Sequence, residues 1–253
     1  MKDYQLFKQC LECRECLCKH PFKYLPTPWQ GQISSKTKLL FIGVNPSPRD
    51  AGEYSDLNHS AQQGYSVRIE DYNKYQDKEK LCETLYSALA DAENRQRIHK
   101  TLKVSKFFMD RVREVSRVLL NKENIDDFND FVTTELIHCQ TAKEDEIKDL
   151  LSMAQICFKL HTQHYLRLFD NLDWIICLGR ENRFFFNHPE TVKIINDIFK
   201  SDLKTRKTKD MAKAFDIIRL TDKTRMIFLP FFGWRAWHNE ELIKLKEVLK
   251  AGT

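Results

Sequence analysis

Cysteine is the residue in this chain whose type and spacing most directly suggest chemistry. The run Cys10-Leu-Glu-Cys13-Arg-Glu-Cys16-Leu-Cys18 places four thiols within nine positions. Cys139 and Cys157 stand far downstream, each beside a segment that reads as part of an α/β sheet. A local Cys-x-x-Cys joined by two remote cysteines can clip a metal centre across a fold, since thiolates ligate both zinc and iron–sulfur clusters. The spacing leaves open whether iron, zinc or no metal is bound. It also leaves open the local pair, because Cys10/Cys13 and Cys13/Cys16 have the same separation. Cys18 and Cys82 take no role, and Cys177, inside an apolar run, reads as a small core residue.

The elements that must position these residues are legible as apolar runs. Lys38 to Val44 is continuous and apolar after its first residue, and it stops at Asn45-Pro46-Ser47-Pro48. That pattern predicts a buried parallel strand entering a loop at its C-terminal end. Phe131 to His138, ending at Cys139, reads as a second strand. Trp174 to Leu178, closed by Gly179-Arg180, is a third, and Arg225 to Leu229, ending at Pro230, a fourth. Helical spacing runs through residues 81–120 (Phe107, Phe108, Val112, Val115, Val118, Leu119), Ile147 to Phe169, Phe184 to Phe199 and Glu240 to Leu249. Residues 21–37, rich in Pro, Gly, Ser and Gln, read as a loop. Residues 49–80 show no clear period, and residues 200–213 read as a basic loop with Lys204, Arg206, Lys207 and Lys209.

Strands alternating with helices predict an α/β fold: a single domain over residues 1–253, with a four-stranded, mainly parallel sheet flanked by helices. In such sheets ligands bind beyond the C-terminal strand ends. Chemistry is therefore expected at Asn45-Pro46-Ser47, from Thr134-Glu135 to Cys139, at Gly179-Arg180, and from Pro230 to Trp234.

Composition bounds the setting. Hydrophobic residues make up 42% of the 253, enough for a core, and no apolar run is long enough to cross a bilayer. The first residues lack the apolar stretch of a secretory signal, so a cytoplasmic, reducing location is expected. There, eight cysteines are more readily ligands or core residues than disulfides. A net charge of +5 permits contact with phosphate backbones without requiring it.

In their order these motifs resemble the uracil-DNA glycosylase superfamily, and its iron–sulfur families 4 and 5 in particular. Those proteins carry an N-terminal Cys-x-x-Cys, a strand ending in Gly-Glu-Ala-Pro-Gly, and a strand ending near Thr-Asn-x-x-Lys-Cys. A fourth cysteine follows on the next helix, then a strand ending in Leu-Gly and a last one ending in a His-Pro-Ser loop. Here the corresponding order is Cys13-x-x-Cys16, Phe41-Ile42-Gly43-Val44-Asn45-Pro46-Ser47, Thr134-Glu135-Leu136-Ile137-His138-Cys139, Cys157, Cys177-Leu178-Gly179 and Leu229-Pro230-Phe231-Phe232-Gly233. The likeness spans nearly the whole chain apart from an enlarged region at about 58–105.

The resemblance implies a [4Fe–4S] cluster on Cys13, Cys16, Cys139 and Cys157, with Cys10 as an alternative ligand and zinc as the alternative metal. It implies that Asn45, which matches the Asn of the mismatch-type Gly-Ile-Asn-Pro-Gly motif, holds the attacking water. Ser47, Trp234, Arg235 and Trp237 are then expected to touch DNA, and Tyr54 or Tyr65 to stack on the flipped base. Two departures alter the expected substrate. Glu135 replaces the base-reading Asn; an ionised carboxylate can only accept hydrogen bonds, which suits the exocyclic amine of a cytosine-like base. Gly233-Trp234-Arg235-Ala236-Trp237-His238 replaces the His-Pro-Ser loop, so His238 is the candidate for the missing electrophilic histidine.

The function so implied is a monofunctional, monomeric DNA glycosylase. It flips uracil or a modified pyrimidine from DNA and hydrolyses the N-glycosidic bond, leaving an abasic site. No lysine is placed for Schiff-base chemistry. DNA repair is one setting, and defence against phages with altered DNA is another. The alternative is a nucleic-acid-binding module that keeps the fold and metal cluster but has lost catalysis.

Overall fold

A computed structural model describes residues 2–15, 22–44, 57–62, 66–90, 103–127, 129–140, 149–206, 213–231 and 239–251. The strands are β1 (Trp29–Gln30), β2 (Leu39–Gly43), β3 (Phe131–Glu135), β4 (Trp174–Leu178), β5 (Ile217–Arg219) and β6 (Arg225–Leu229). The helices are α1 (Lys2–Leu11), α2 (Leu57–Gln62), α3 (Ile69–Lys74), α4 (Lys78–Ala90), α5 (Lys103–Leu120), α6 (Leu150–Cys157), α7 (Gln163–Leu166), α8 (Arg180–Phe185), α9 (Pro189–Phe199) and α10 (Asn239–Ala251).

One six-stranded sheet runs in the order β1-β3-β2-β4-β6-β5. Its four central strands are the four apolar runs, and they pair in parallel: β2 with β3, β2 with β4, and β4 with β6. β2 and β4 are buried throughout, which is why they read as unbroken apolar stretches. The expectation of four strands is corrected to six, because β1 and β5 pair antiparallel at the two edges. The alternation signal fails for both. β1 is two residues long inside a loop-like stretch, and β5 is three residues long and partly exposed.

Alternate strand residues face two helical layers. Leu40, Ile42, Val132, Ile175, Cys177, Met226 and Phe228 pack with residues of α1, α4, α6, α7, α8 and α9. Leu39, Phe41, Phe131, Trp174, Ile176, Leu178, Ile227 and Leu229 pack with Met109, Val112 and Val115 of α5 and Leu245 of α10. Cys177 is fully buried in β4, and burial pushes its thiol well up, as suits a core residue.

The amino-terminal segment, expected only to carry cysteines, forms α1. It buries Phe7, Cys10 and Leu11, the i, i+3, i+4 spacing of one helical face. The helix expected from Ile147 to Phe169 forms as α6 and α7 joined by a π turn, Phe158–Thr162. Asp149 caps α6 by accepting a hydrogen bond from Ser152 N at 3.3 Å. Cys157, Phe158, His161 and Thr162 are all buried at the π turn. The helix expected over Phe184 to Phe199 divides into α8 and α9, with Pro189 starting α9. Within the enlarged region, most of α2 and all of α3 and α4 add helices over the α1 face of the sheet.

Candidate functional site at the C-terminal strand ends

Parallel pairing sets Gly43, the last residue of β2, directly beside Glu135, the last residue of β3. Both lie on the sheet face covered by α5 and α10, two positions beyond Phe41 and Thr133. The pairing continues past the strands, with Leu136 N donating to Gly43 O at 3.1 Å and Ile137 N donating to Val44 O at 2.9 Å. The half-buried Glu135 carboxylate lies over Gly43. A methyl group built on Gly43 would fall inside it, 2.6 Å from the carboxyl carbon. Glycine is required at position 43 for this close approach, not for an unusual backbone angle.

The neighbouring strand end is fastened by Asn182 of α8, which is fully buried. Its Nδ2 donates to Leu178 O at 2.6 Å, Ile42 O at 3.1 Å and Gly43 O at 3.3 Å. One amide thus ties the end of β4 to the end of β2. Its Oδ1 has no hydrogen-bond partner among the described residues. Between them, Gly179 turns the chain at φ 93°, a conformation that favours glycine. A side chain there would meet Glu181 Oε2 at 3.2 Å and Val44 Cγ2 at 3.5 Å. Two carboxylates, Glu135 and Glu181, therefore stand on either side of the Gly43-Val44 strand end.

The described cysteines of the expected metal set all lie toward the α1 side of the fold. Cys10 is fully buried in α1, Cys139 and Cys157 are buried, and Cys13 is half-buried, its N–H donating to Cys10 O at 3.1 Å. α1 packs against the π turn that follows Cys157. Burial pushes the Tyr165 phenol up, and the charges of both Cys10 and Cys157 add to the rise. Tyr165 shares its hydroxyl with Thr134 Oγ1 at 2.7 Å, Thr162 Oγ1 at 3.2 Å and His138 Nε2 at 3.4 Å. Burial pushes His138 down to about 3, and nearby His161 adds to this, so its ring is neutral at physiological pH. A buried polar network thus lies beside Cys139 and Cys157. Among the described residues no group of three or more His, Cys, Asp and Glu side chains is arranged to hold a metal. Cys16, required by the expected ligand set, lies outside the described residues.

Of the expected base-recognition residues, Glu135 is the last residue of β3, which stops there rather than at the expected His138. Asn45, Ser47, Tyr54, Tyr65, Trp234, Arg235, Trp237 and His238 lie outside the described residues. Sequence reasoning missed Glu181 and Asn182. Both sit on a six-residue helix just after Gly179, and the signal that could have found them was position, immediately beyond a C-terminal strand end. Phe231, just past β6, is exposed at the same edge of the sheet. No protein-family model matches the chain, and no curated protein matches it. No helix of the described residues is long and apolar enough to cross a membrane.

Proposed function

We propose that this protein is a monofunctional DNA glycosylase resembling the uracil-DNA glycosylase superfamily, acting on uracil or on a modified, cytosine-derived pyrimidine. The observation that carries the reading is the Glu135 carboxylate laid over Gly43, two residues before Asn45, at the C-terminal edge of a parallel sheet. A base reaching that edge must leave the duplex stack. An ionised Glu135 accepts a hydrogen bond from an exocyclic amine; protonated, it donates one to a ring nitrogen. Asn45 holds the attacking water by hydrogen bonding, since an amide is too weak a base to remove its proton. The departing base and the oxocarbenium-like sugar are stabilised by dipolar and cationic groups, with His238 as the candidate donor. Tyr54 or Tyr65 stacks on the base, while Ser47, Trp234, Arg235 and Trp237 grip the strand. With no lysine placed to form a Schiff base, the product is an abasic site.

A [4Fe–4S] cluster on Cys13, Cys16, Cys139 and Cys157 belongs to the same reading, and it would act as a structural clip rather than in the reaction. Cys10, buried near the end of α1, is the alternative ligand in the same reading.

An oligonucleotide panel tests the function: uracil, thymine mismatches, cytosine and modified cytosines, each single- and double-stranded. Abasic product that disappears in Asn45→Ala supports catalysis. Salt-sensitive binding with no product on any substrate would replace this reading with the binding module.

A further inference from the structure

A cleft of about 390 Å³ opens between α8, α9, the segment 201–206 and edge strand β5. Its floor is apolar, with Phe186, Val192 and Phe228 almost fully buried. Its rim carries Arg183, Lys204, Arg206 and Arg219 against one carboxylate, Asp202. Arg219 is already engaged, donating to Asp222 Oδ1 at 2.8 Å and to Thr221 O at 3.2 Å. Arg183, Lys204 and Arg206 make no side-chain hydrogen bond or ion pair among the described residues.

The backbone that carries Lys204 and Arg206 is held in place by the fold. Asn187 clamps the backbone at Arg206 with two bonds of 2.7 Å, Nδ2 to Arg206 O and Arg206 N to Oδ1. Asn196 does the same at Leu203, accepting from its N–H at 2.8 Å and donating to its carbonyl at 3.0 Å. The segment carrying Lys204 and Arg206 is therefore pinned to the turn before Pro189, through Asn187, and to α9, through Asn196. An irregular segment with two clamps on its backbone and unmatched cations presents a positive rim at a fixed stretch of chain. The charge imbalance selects an anion, and the apolar floor selects one bearing carbon rings rather than a bare ion.

We propose that this cleft binds a phosphate ester carrying a sugar or base, with Arg183, Lys204 and Arg206 on the phosphate. The cleft lies on the α9 side of α8, whereas the Glu135 carboxylate lies on the α5 face, so it forms a second site. Binding there does not require base excision. A nucleic-acid strand and a free nucleotide present the same chemistry, and the experiment separates them.

The test is fluorescence anisotropy with labelled single- and double-stranded oligonucleotides, with competition by a nucleoside monophosphate and by inorganic phosphate. The protein variants are Arg183→Ala/Lys204→Ala/Arg206→Ala and a charge-matched control on exposed lysines elsewhere, Lys36→Ala/Lys74→Ala/Lys246→Ala. Each lost phosphate contact lowers the slope of log K against log salt by about 1, so the cleft variant should lower it by about 2–3, equally for all sequences. Competition by the monophosphate that is lost in the cleft variant assigns the site to a free nucleotide. Loss of oligonucleotide binding without such competition assigns it to a strand. Arg183→Lys/Arg206→Lys should keep most of the binding, which separates lost charge from lost fold. Equal losses in the cleft and control variants, or none in either, would overturn the site. If the panel yields no abasic product while the cleft variant still loses binding, the glycosylase reading fails and the cleft stands.

Discussion

The pairing of Gly43 with Glu135 makes a prediction whose sign depends on its background. In an ordinary strand, replacing glycine by alanine stabilises by about 0.5–1 kcal/mol, because less backbone entropy is lost on folding. At position 43 the added methyl occupies the space of the Glu135 carboxylate. The carboxylate must turn away, at about 0.5–1.5 kcal/mol for leaving its rotamer. It also loses the polar interactions it now holds, about 0.5–1.5 kcal/mol more. Gly43→Ala alone should thus destabilise by about 1 kcal/mol. In a Glu135→Ala background the same change should stabilise by about 0.5–1 kcal/mol. The coupling energy across the cycle is then about 2 kcal/mol. Urea unfolding of the four proteins at constant pH measures it, provided the m-values agree. A Gly43→Ala effect that is the same in both backgrounds, within about 0.5 kcal/mol, would refute the placement of the carboxylate over Gly43. If that carboxylate reads the base, Gly43→Ala must also disturb product release in the panel as Glu135→Ala does.

Glu135→Asn should move base preference toward uracil, read from the same oligonucleotide panel; an unchanged preference would remove the recognition role of Glu135. Asn182→Ala strips a buried donor from three strand-end carbonyls and should cost about 2 kcal/mol, lowering the Tm by about 4–8 °C in thermal unfolding followed by circular dichroism. Protein purified without oxygen should be brown and contain stoichiometric iron and sulfide, with the colour lost in Cys139→Ala or Cys157→Ala; colourless protein holding zinc would exclude the cluster.

β2 and β4 were legible because each is buried on both faces. Burial on both sides forces an uninterrupted apolar run, and Leu39 to Gly43 and Trp174 to Leu178 are such runs. β1 and β5 escaped because strands of two and three residues are too short to show a period. α1 was hidden by its own cysteines: Cys10 reads as a ligand, yet it occupies the same buried stripe as Phe7 and Leu11. The π turn could not be foreseen, since a single inserted residue leaves the apolar spacing of residues 150–166 close to that of one continuous helix.

The site itself was legible only in pieces. Glu135 stood out near a strand end and Gly43 did not, because their contact depends on register, which a single chain does not display. Glu181, Asn182 and Arg183 were marked only by their position just beyond a strand end, because their separate roles come from facing three directions within one turn of α8. Glu181 lies beside Gly179, Asn182 points inward to three carbonyls, and Arg183 lines the cationic cleft. This short helix therefore joins the two candidate sites. Substitutions at Asn182 should disturb the strand ends and the cleft together, whereas those at Glu135 or Lys204 should disturb one and leave the other. A rigid joint of this kind explains why a fully buried polar side chain sits where a leucine would fill the space more cheaply. Leucine would leave the carbonyl oxygens of Ile42, Gly43 and Leu178 without the donor that holds β2, β4 and α8 in one arrangement.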